Sequence, residues 1–330
     1  MTHAGDVGYE LQSSLLVDAV SGLPVAPLAQ TLTDSKGCRS TLTDGLTDSQ
    51  THMDALTADI TRVEALGIGK TLVHLIDREG DSVAHMRALS AQGLRWLIRG
   101  KERHQVTYQG HVHSVGGVAD GLVFGASKPV DYKGKKACMS VGEVPVTLTR
   151  VAKPKRADRE TGRRVKAEAG PPLPVRLVVA LLSDNEGREL GRWALLTNVG
   201  DDISGDEIAQ WYYWRWSIES FFKLIKGAGH DVESWLQRSA DAVLRRLLIA
   251  SMACVLAWRL QRAEGEENAR ARSWVCRLSG RQQKWGRRES APALLAGLGI
   301  LLNTLTLLSE YTPEELTLLA TTVLGPFEDV

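Results

Sequence analysis

The order of helical and strand-like segments between residues 52 and 98 constrains the fold of this chain most strongly. Thr71–Ile76 is a short apolar run without polar alternation, which is typical of a strand covered on both faces of a sheet. Leu94–Ile98 is a second run of this kind. Each follows a segment with apolar residues at helical spacing that stops at a glycine. The helices are predicted at His52–Leu66 and Val83–Ala91, ending at Gly67 and Gly93.

A β-hairpin is predicted before these segments, with strands Leu11–Val17 and Pro24–Leu32 about the turn Ser21-Gly22. Asp34–Gln50 is rich in Ser, Thr, Asp and Gly and is predicted to be a loop. The order is therefore hairpin, helix, strand, helix and strand. It predicts an α/β layer built on a mixed sheet, with residues 1–100 as the first part of the core.

The pattern changes after residue 100, and residues 101–203 are predicted to form a β-rich insertion. Within it, Arg150–Lys166 holds eight Lys/Arg and two Asp/Glu, a local charge of +6, and is predicted to be a mobile basic loop. Residues 204–238 should carry a helix with many charges, and residues 239–330 a helical C-terminal region. Short strands are predicted at Val106–Tyr108, Leu122–Phe124, Val175–Leu182 and Arg192–Thr197.

The C-terminal region shows three helical patterns. Ala240–Arg262 is a strongly apolar helix, and Thr312 opens a last helix as the cap of a capping box with Glu315. Arg270–Arg288 is basic and poorly periodic. Ala291–Leu308 is apolar, but its proline, glycines and asparagine favour a buried helix over a membrane span.

Composition excludes several classes of protein. The net charge is +1, so a nucleic-acid site would have to be a local patch. The four cysteines form no CxxC pair, which argues against a zinc module or a disulfide framework and fits a reducing cytoplasm. The first ten residues lack the basic and apolar lead of a signal peptide. We expect a soluble cytoplasmic protein without a membrane association.

Tyr212, Arg215, Glu219 and Lys226 are separated by three, four and seven residues. On one continuous helix they would fall within roughly 60° of one another. One side of the helix would then carry four polar groups: a phenol, a guanidinium, a carboxylate and an ammonium. Aromatic residues would line the groove in which they lie. Two alternatives remain open: an amphipathic helix with a solvated polar face, and a second helix that begins near Ile218 with Ser217 as its cap.

Asp77 directly follows a buried strand, where α/β sheets place ligand-binding groups. Asp77 and Glu219 could share divalent ions of the magnesium type, which take oxygen ligands. Two such ions about 4 Å apart clamp the attacking and leaving oxygens of a phosphoryl transfer. Arg215 and Lys226 would suit a phosphate substrate. The alternative for Asp77 is an ordinary turn aspartate.

Three histidines are weaker candidates. His111 and His113 could form a metal pair on one strand face, but the sequence offers no third ligand. His74 lies within a predicted buried strand and is interpreted as a core histidine with a hydrogen-bond partner.

The spacing Tyr212-x2-Arg215-x3-Glu219-x6-Lys226 resembles the Y-R-E-K signature of insertion-sequence DDE transposases of the insertion-sequence-4 type. The block Asp77-Arg78-Glu79-Gly80-Asp81 resembles the segment around that family's second catalytic aspartate. Arg192–Thr197 resembles the strand before the signature. The resemblance runs from about Gly8 to about Ala257 and implies a ribonuclease-H-like core interrupted by a β-rich insertion.

This resemblance implies roles for individual residues. Asp77 and Glu219 would be metal-binding catalytic carboxylates using Mg²⁺, with Mn²⁺ as a substitute. Tyr212, Arg215 and Lys226 would hold the DNA backbone, and Trp193 would stack on a flipped base. The basic loop would add phosphate contacts. The reaction would be cleavage of DNA at the terminal inverted repeats and strand transfer into target DNA, carried out by a homodimer on paired ends.

The sequence departs from the family pattern at its N-terminus. The family's first catalytic aspartate lies on a strand before the hairpin, and we expect that strand to be missing here, as in a truncated copy. Asp6 has no strand-like context, and Asp18 falls in the hairpin. The alternatives are an inactive fragment that binds DNA or the full-length transposase as an inhibitor, and a non-functional remnant of a mobile element.

Overall fold

A computed structural model describes residues 8–47, 52–152, 166–227, 230–281 and 288–324 of the chain. Most of the predicted basic loop, residues 153–165, lies outside the described residues. The chain groups into two compact units. The first unit comprises Met1–Ser14, Ala19–Gly22 and Thr31–Trp216, and the second comprises Leu15–Asp18, Leu23–Gln30 and Ser217–Val330.

The predicted hairpin is confirmed and belongs to a three-stranded sheet. Its strands, in the order β1-β2-β3, are β1 (Glu10–Val17), β2 (Pro24–Asp34) and β3 (Gly37–Ser40). β3 lies in the segment predicted to be loop, so that prediction is wrong for these four residues. The reason is a tight turn: the Asp34 carboxylate accepts hydrogen bonds from the backbone N–H groups of Lys36 and Gly37. This turn returns the chain antiparallel to β2 although the segment GCRS has no strand-like alternation.

The main sheet has eight strands and is mixed. β4 and β5 are parallel, and the other pairs with a described register are antiparallel. The α/β prediction is therefore confirmed at this level. The strand order is β4-β5-β11-β10-β9-β6-β7, with β8 paired to β9. The strands are β4 (Val73–Ile76), β5 (Arg95–Arg99), β6 (Gln105–Tyr108), β7 (His111–Ser114), β8 (Lys128–Tyr132), β9 (Lys135–Leu148), β10 (Leu173–Ser183) and β11 (Glu189–Thr197).

The strands of the predicted insertion extend the same sheet as β4 and β5, because β11 pairs with β5. The predicted boundary between residues 100 and 101 thus falls inside one sheet. One predicted strand is wrong: Leu122–Phe124 has no regular structure, and Val123 is 91% exposed.

Helices cover both faces of this sheet. On one face, α1 (His52–Ala65), α2 (Val83–Ala91) and α3 (Val115–Asp120) bury residues such as Met86 against alternate strand positions such as Leu177. On the other face, α4 (Gly205–Trp214) packs against β9 and β10. Its residues Ile208, Ala209 and Tyr212 contact the opposite strand positions, among them Val178 and Leu195.

The charged segment forms two helices. α4 begins with a capping box in which the Ser204 side chain accepts from the Glu207 N–H and the Glu207 side chain accepts from the Ser204 N–H. It ends at Trp214, and α5 (Ser217–Lys226) starts after a two-residue turn. The prediction of one continuous helix is wrong, and the alternative of a second helix beginning near Ile218 is confirmed, with Ser217 as its first residue.

The second unit is mainly helical. It contains α5, α6 (Ala240–Arg262), α7 (Glu266–Leu278), α8 (Ala291–Glu310) and α9 (Pro313–Leu324). α6 has the predicted bounds. α7 overlaps the segment predicted to be poorly periodic, of which residues 282–287 lie outside the described residues. Reciprocal hydrogen bonds between Thr312 and Glu315 confirm the predicted capping box of α9.

The expected burial of α8 is wrong. Only residues 293–295 and Gly297 of this helix are buried, and the half after Gly299 is largely exposed. Its helical state follows from local apolar sequence, but burial depends on which other elements pack against it. By length and composition, α8 is the one described helix that could cross a membrane, with 22% of its apolar window buried.

Candidate functional site

Asp77 lies at the carboxyl end of β4, as predicted, and caps a single 3-10 turn at Arg78–Gly80. Its Oδ1 accepts the backbone N–H of Arg78 over 2.8 Å. Asp81 directly follows this turn. Its fully buried carboxylate accepts the Lys101 N–H and pairs with Arg150, which anchors the turn to neighbouring parts of the chain. The two aspartates of this block therefore differ: Asp81 fixes the turn, and Asp77 is presented at its surface.

Two predicted site residues on the α4 segment meet Asp77. The Tyr212 hydroxyl donates to Asp77 Oδ1 over 2.9 Å. Arg215 Nη2 lies 3.4 Å from Asp77 Oδ2, and the Arg215 guanidinium also stands over the Tyr212 ring at 5.4 Å. The carboxylate side chain is 39% exposed and that of Arg215 is 19% exposed. Residues far apart in the sequence thus form a partly buried site that solvent still reaches.

The electrostatics of this site favour an ionised Asp77. Burial alone would raise the pKa of the Asp77 carboxyl. The Arg78 N–H, the Arg215 charge and the Tyr212 hydroxyl outweigh it and hold that pKa below its usual value. Burial and the neighbouring Asp77 charge raise the pKa of the Tyr212 hydroxyl. Tyr212 is therefore a proton donor to a carboxylate anion at neutral pH.

Arg99 is a site residue that the sequence reasoning missed. It is the last residue of β5, the strand parallel to β4. Ile76 is in register with Ile98, so the next pair along these strands is Asp77 and Arg99. The Arg99 charge also helps to lower the pKa of Asp77. Its position could have identified it. Arg99 ends the strand next to that of Asp77, and open α/β sheets bind ligands at the carboxyl ends of their strands.

Two guanidinium donors of the site have no acceptor among the described residues. Within the part of the chain that the structure describes, Nε of Arg99 and Nε of Arg215 are both buried and make no hydrogen bond. Unsatisfied buried donors are uncommon in proteins and are usually paired with ordered water or a bound ion. An anion with several acceptor oxygens would meet this need.

Trp193 lies on β11 beside the site, but it is buried. Its ring makes edge contacts with Tyr212 at 5.3 Å and with Tyr132 at 6.1 Å, and the residue is 8% exposed. Trp193 thus supports the Tyr212 ring in this structure. Stacking of a base on Trp193, the predicted role, would require Tyr132 or Tyr212 to move.

Glu219 and Lys226 belong to α5 in the second unit. They lie on the polar face of this helix, opposite the buried residues Phe221, Leu224 and Ile225. Lys226 is exposed and pairs with Glu233 over 2.7 Å. The four residues of the predicted stripe are therefore divided: Tyr212 and Arg215 in the first unit, and Glu219 and Lys226 in the second.

A divalent metal ion fits this site only in part. The Asp77 carboxylate is the donor type that Mg²⁺ prefers. However, the described ranges contain no group of three or more His, Cys, Asp or Glu side chains that could hold a metal ion. The cation next to Asp77 is the Arg215 guanidinium. The groups present thus form an anion-binding site, in which the guanidinium donors lie around the Asp77 carboxylate.

The predicted histidines lie elsewhere. His111 and His113 are exposed on β7 with their rings 6.5 Å apart, and no group of three metal ligands among the described residues includes them. His74 Nε2 lies 2.8 Å from Glu64 Oε1, so this histidine has the partner that was expected.

Comparison with known proteins adds no family assignment. No protein-family model matches the sequence, and no curated protein gives a significant match. The resemblance to insertion-sequence transposases therefore rests on the sequence motifs alone.

Proposed function

We propose that this chain acts on DNA and that its reaction class is that of the DDE transposases it resembles. In that reaction, DNA is cut at the ends of a mobile element and the freed strand is transferred to target DNA. The observation that carries the proposal is the contact of Asp77 with both Tyr212 and Arg215, which join two separate parts of the motif.

The charged groups of the site support a phosphodiester substrate. Arg215 and Arg99 flank Asp77, and each has a buried N–H without an acceptor among the described residues. Guanidinium groups bind phosphate oxygens through paired, charge-assisted hydrogen bonds. In the proposed complex, the two arginines hold the DNA phosphate while Tyr212 keeps the Asp77 carboxylate in place.

The remaining features of the proposal follow from the resemblance. They are a ribonuclease-H-like core, Mg²⁺ or Mn²⁺ as the cofactor, a homodimer on paired terminal inverted repeats, and a location in the cytoplasm at the nucleoid. The parallel pair β4–β5 with flanking helices is compatible with such a core. The described residues supply no three-ligand metal group, so any metal ion would be held in part by groups other than these side chains.

A plasmid-nicking assay tests the cleavage reaction. We expect the purified chain to convert supercoiled plasmid to the nicked form in Mg²⁺ or Mn²⁺ and not in a chelator. Asp77→Asn and Glu219→Gln should abolish nicking. Asp184→Asn is the matched control, because Asp184 lies in an exposed turn and pairs with Arg188. Equal nicking by all variants would show that Asp77 and Glu219 are not catalytic.

A second function is favoured by one observation: Asp77 pairs with Arg215, and the part of the chain that the structure describes offers no three-ligand metal group. The chain would then bind DNA, or an active transposase, without cutting and would inhibit transposition. This alternative predicts salt-sensitive DNA binding or co-purification with the intact enzyme, with no nicking in any metal. Nicking that depends on Asp77 would exclude it.

A further inference from the structure

His52, the first residue of α1, lies between two carboxylates. Its Nε2 atom is 3.4 Å from Glu79 Oε2, and its Nδ1 atom is 3.5 Å from Glu10 Oε1. Glu79 belongs to the 3-10 turn that follows Asp77, and Glu10 is the first residue of β1. All of these residues belong to the first unit. One imidazole therefore links α1, β1 and the turn at Asp77, and it can donate to both carboxylates only when both ring nitrogens carry a proton.

The surroundings of His52 favour its protonated form. Three elements contribute acidic groups around it: the turn with Glu79, β1 with Glu10, and the first turn of α1 with Asp54. The contact with Glu79 and, to a smaller extent, the charge of Glu10 raise the pKa of His52 above its usual value of 6.5, although burial alone would lower it. The positive end of the helix dipole also opposes a charged histidine at this position, so the carboxylates outweigh both effects. His52 therefore changes its charge near neutral pH.

Glu79 is the group through which His52 can act on the Asp77 site. The contact with His52 holds the pKa of the Glu79 carboxyl below its usual value, and the charges of Asp77 and Arg215 also act on this carboxyl, in opposite directions. Because electrostatic interactions are mutual, the charge of Glu79 acts in turn on Asp77 and Arg215. Gly80 is buried against β4, which fixes the turn that carries Glu79. Glu79 is thus a second negative charge beside the arginine donors of the site.

The net charge of this turn depends on the protonation of His52. The protonated imidazole offsets the charge of Glu79. When the imidazole is neutral, Glu79 loses this compensation and repels an anion that approaches Arg215. The side chains of His52 and Glu79 are 38% and 61% exposed, so solvent screens their interaction. A surface pair of this kind changes an affinity by up to a factor of about five.

We propose that His52 is a positioning residue that couples anion binding at the Asp77 site to pH: its protonated imidazole orients and neutralises Glu79, and an anion binds more weakly once His52 has lost its proton. By linkage, a bound anion makes His52 harder to deprotonate. The inference rests on the proposed function in one respect, since the phosphate groups of DNA are the anion expected at this site.

Titration of the full chain with inorganic sulfate tests the proposal without DNA. Sulfate keeps its charge of −2 between about pH 6 and about pH 8.5, so a change in affinity over this range comes from the protein. The NMR signals of the Arg99 and Arg215 Nε–H groups report binding, because these donors face the site without an acceptor among the described residues. We expect a dissociation constant about three- to fivefold larger at the higher pH.

Two variants should differ from the parent in opposite directions. His52→Gln should bind sulfate weakly at both pH values, as the parent does at high pH. Glu79→Gln should bind sulfate tightly at both, as the parent does at low pH. A merely structural contact would make the two variants alike, because either substitution removes it. His111→Gln is the matched control and should keep the pH dependence of the parent, since His111 is exposed on β7, at the opposite end of the sheet order from β4.

The same titration with a short DNA duplex at low salt separates this inference from the proposed function. We expect the DNA affinity to show the same pH dependence and the same opposite effects of the two variants. A pH-dependent affinity for sulfate without DNA binding would support the coupling and reject DNA as the ligand. Equal pH dependence in the parent and in His52→Gln, the same change in His52→Gln and Glu79→Gln, or no sulfate binding at either pH would overturn the inference. Circular dichroism verifies that each variant retains its helix content.

Discussion

The Tyr212 hydroxyl donates to Asp77 Oδ1 over 2.9 Å and joins residues that are 135 positions apart in the chain. This hydrogen bond connects the end of β4 with α4, and it connects two sequence blocks that were recognised separately. Arg215 reaches the other carboxylate oxygen from the end of the same helix. Both oxygens of Asp77 are thereby held, one by Tyr212 of α4 and one by Arg215 of the turn that follows, while the strand register places Arg99 next to it.

Replacing Tyr212 by Phe should raise the pKa of Asp77 toward its usual value, because the hydroxyl helps to stabilise the carboxylate. The free energy of unfolding should fall by about 1–2 kcal/mol through loss of a hydrogen bond to a charged group. Carboxyl NMR titration and urea denaturation measure the two effects. Tyr213→Phe is the control, since the Tyr213 hydroxyl donates to the Asp131 carbonyl. An unchanged Asp77 pKa in Tyr212→Phe would contradict this account.

His85 should make stability depend on pH below neutrality. Burial, with a smaller effect of the His74 charge, lowers the pKa of His85 from 6.5 to about 4. The unfolded chain therefore binds a proton between these values that the folded chain does not. The free energy of unfolding should fall by up to about 1.4 kcal/mol per pH unit as the pH decreases from 6.5 toward 4.

The variant His85→Asn isolates this contribution to stability. Other groups also titrate in acid, so the informative quantity is the difference in slope between the parent and this variant. The variant should show a flatter dependence of the unfolding free energy on pH from 6.5 to 5. Parallel curves would show that His85 is not the group responsible.

Two glycines of α8 should respond oppositely to alanine. A Cβ at Gly297 would lie 1.9 Å from the carbonyl oxygen of Val275 on α7, whereas a Cβ at Gly299 meets no atom within 4 Å. Gly297→Ala should destabilise the protein by about 1–3 kcal/mol through overpacking. Gly299→Ala should stabilise it by up to about 1 kcal/mol through helix propensity. Urea denaturation distinguishes the two, and equal effects would contradict the described α7–α8 packing.

The sequence predicts elements whose pattern is local. α2 and α6 have the predicted bounds because apolar spacing and flanking residues define them without other parts of the chain. β3 was missed because its four residues carry no alternation and their strand state depends on the pairing with β2. The prediction that α8 is buried was wrong for the same reason, because its burial depends on which other helices pack against it.

The site was predictable in its residue types and less so in its geometry. Asp77 was identified from its place after a strand, and Tyr212 and Arg215 from the motif spacing. The contact between them depends on α4 packing across the sheet, which a sequence pattern does not encode. The turn that separates α4 from α5 at residues 215 and 216 contains no glycine or proline, so the division of the motif between two helices had only Ser217 as a signal.

The most direct test of a DNA-binding site at Asp77 is the salt dependence of binding to a fluorescent double-stranded DNA. We expect measurable affinity that decreases with salt, because phosphate contacts release counterions. Arg215→Met should weaken binding and reduce the magnitude of the logarithmic salt slope by about one. Arg188→Met, which changes an exposed arginine paired with Asp184 and Glu186, should leave both unchanged. Absence of DNA binding, or equal effects of the two substitutions, would contradict the central claim.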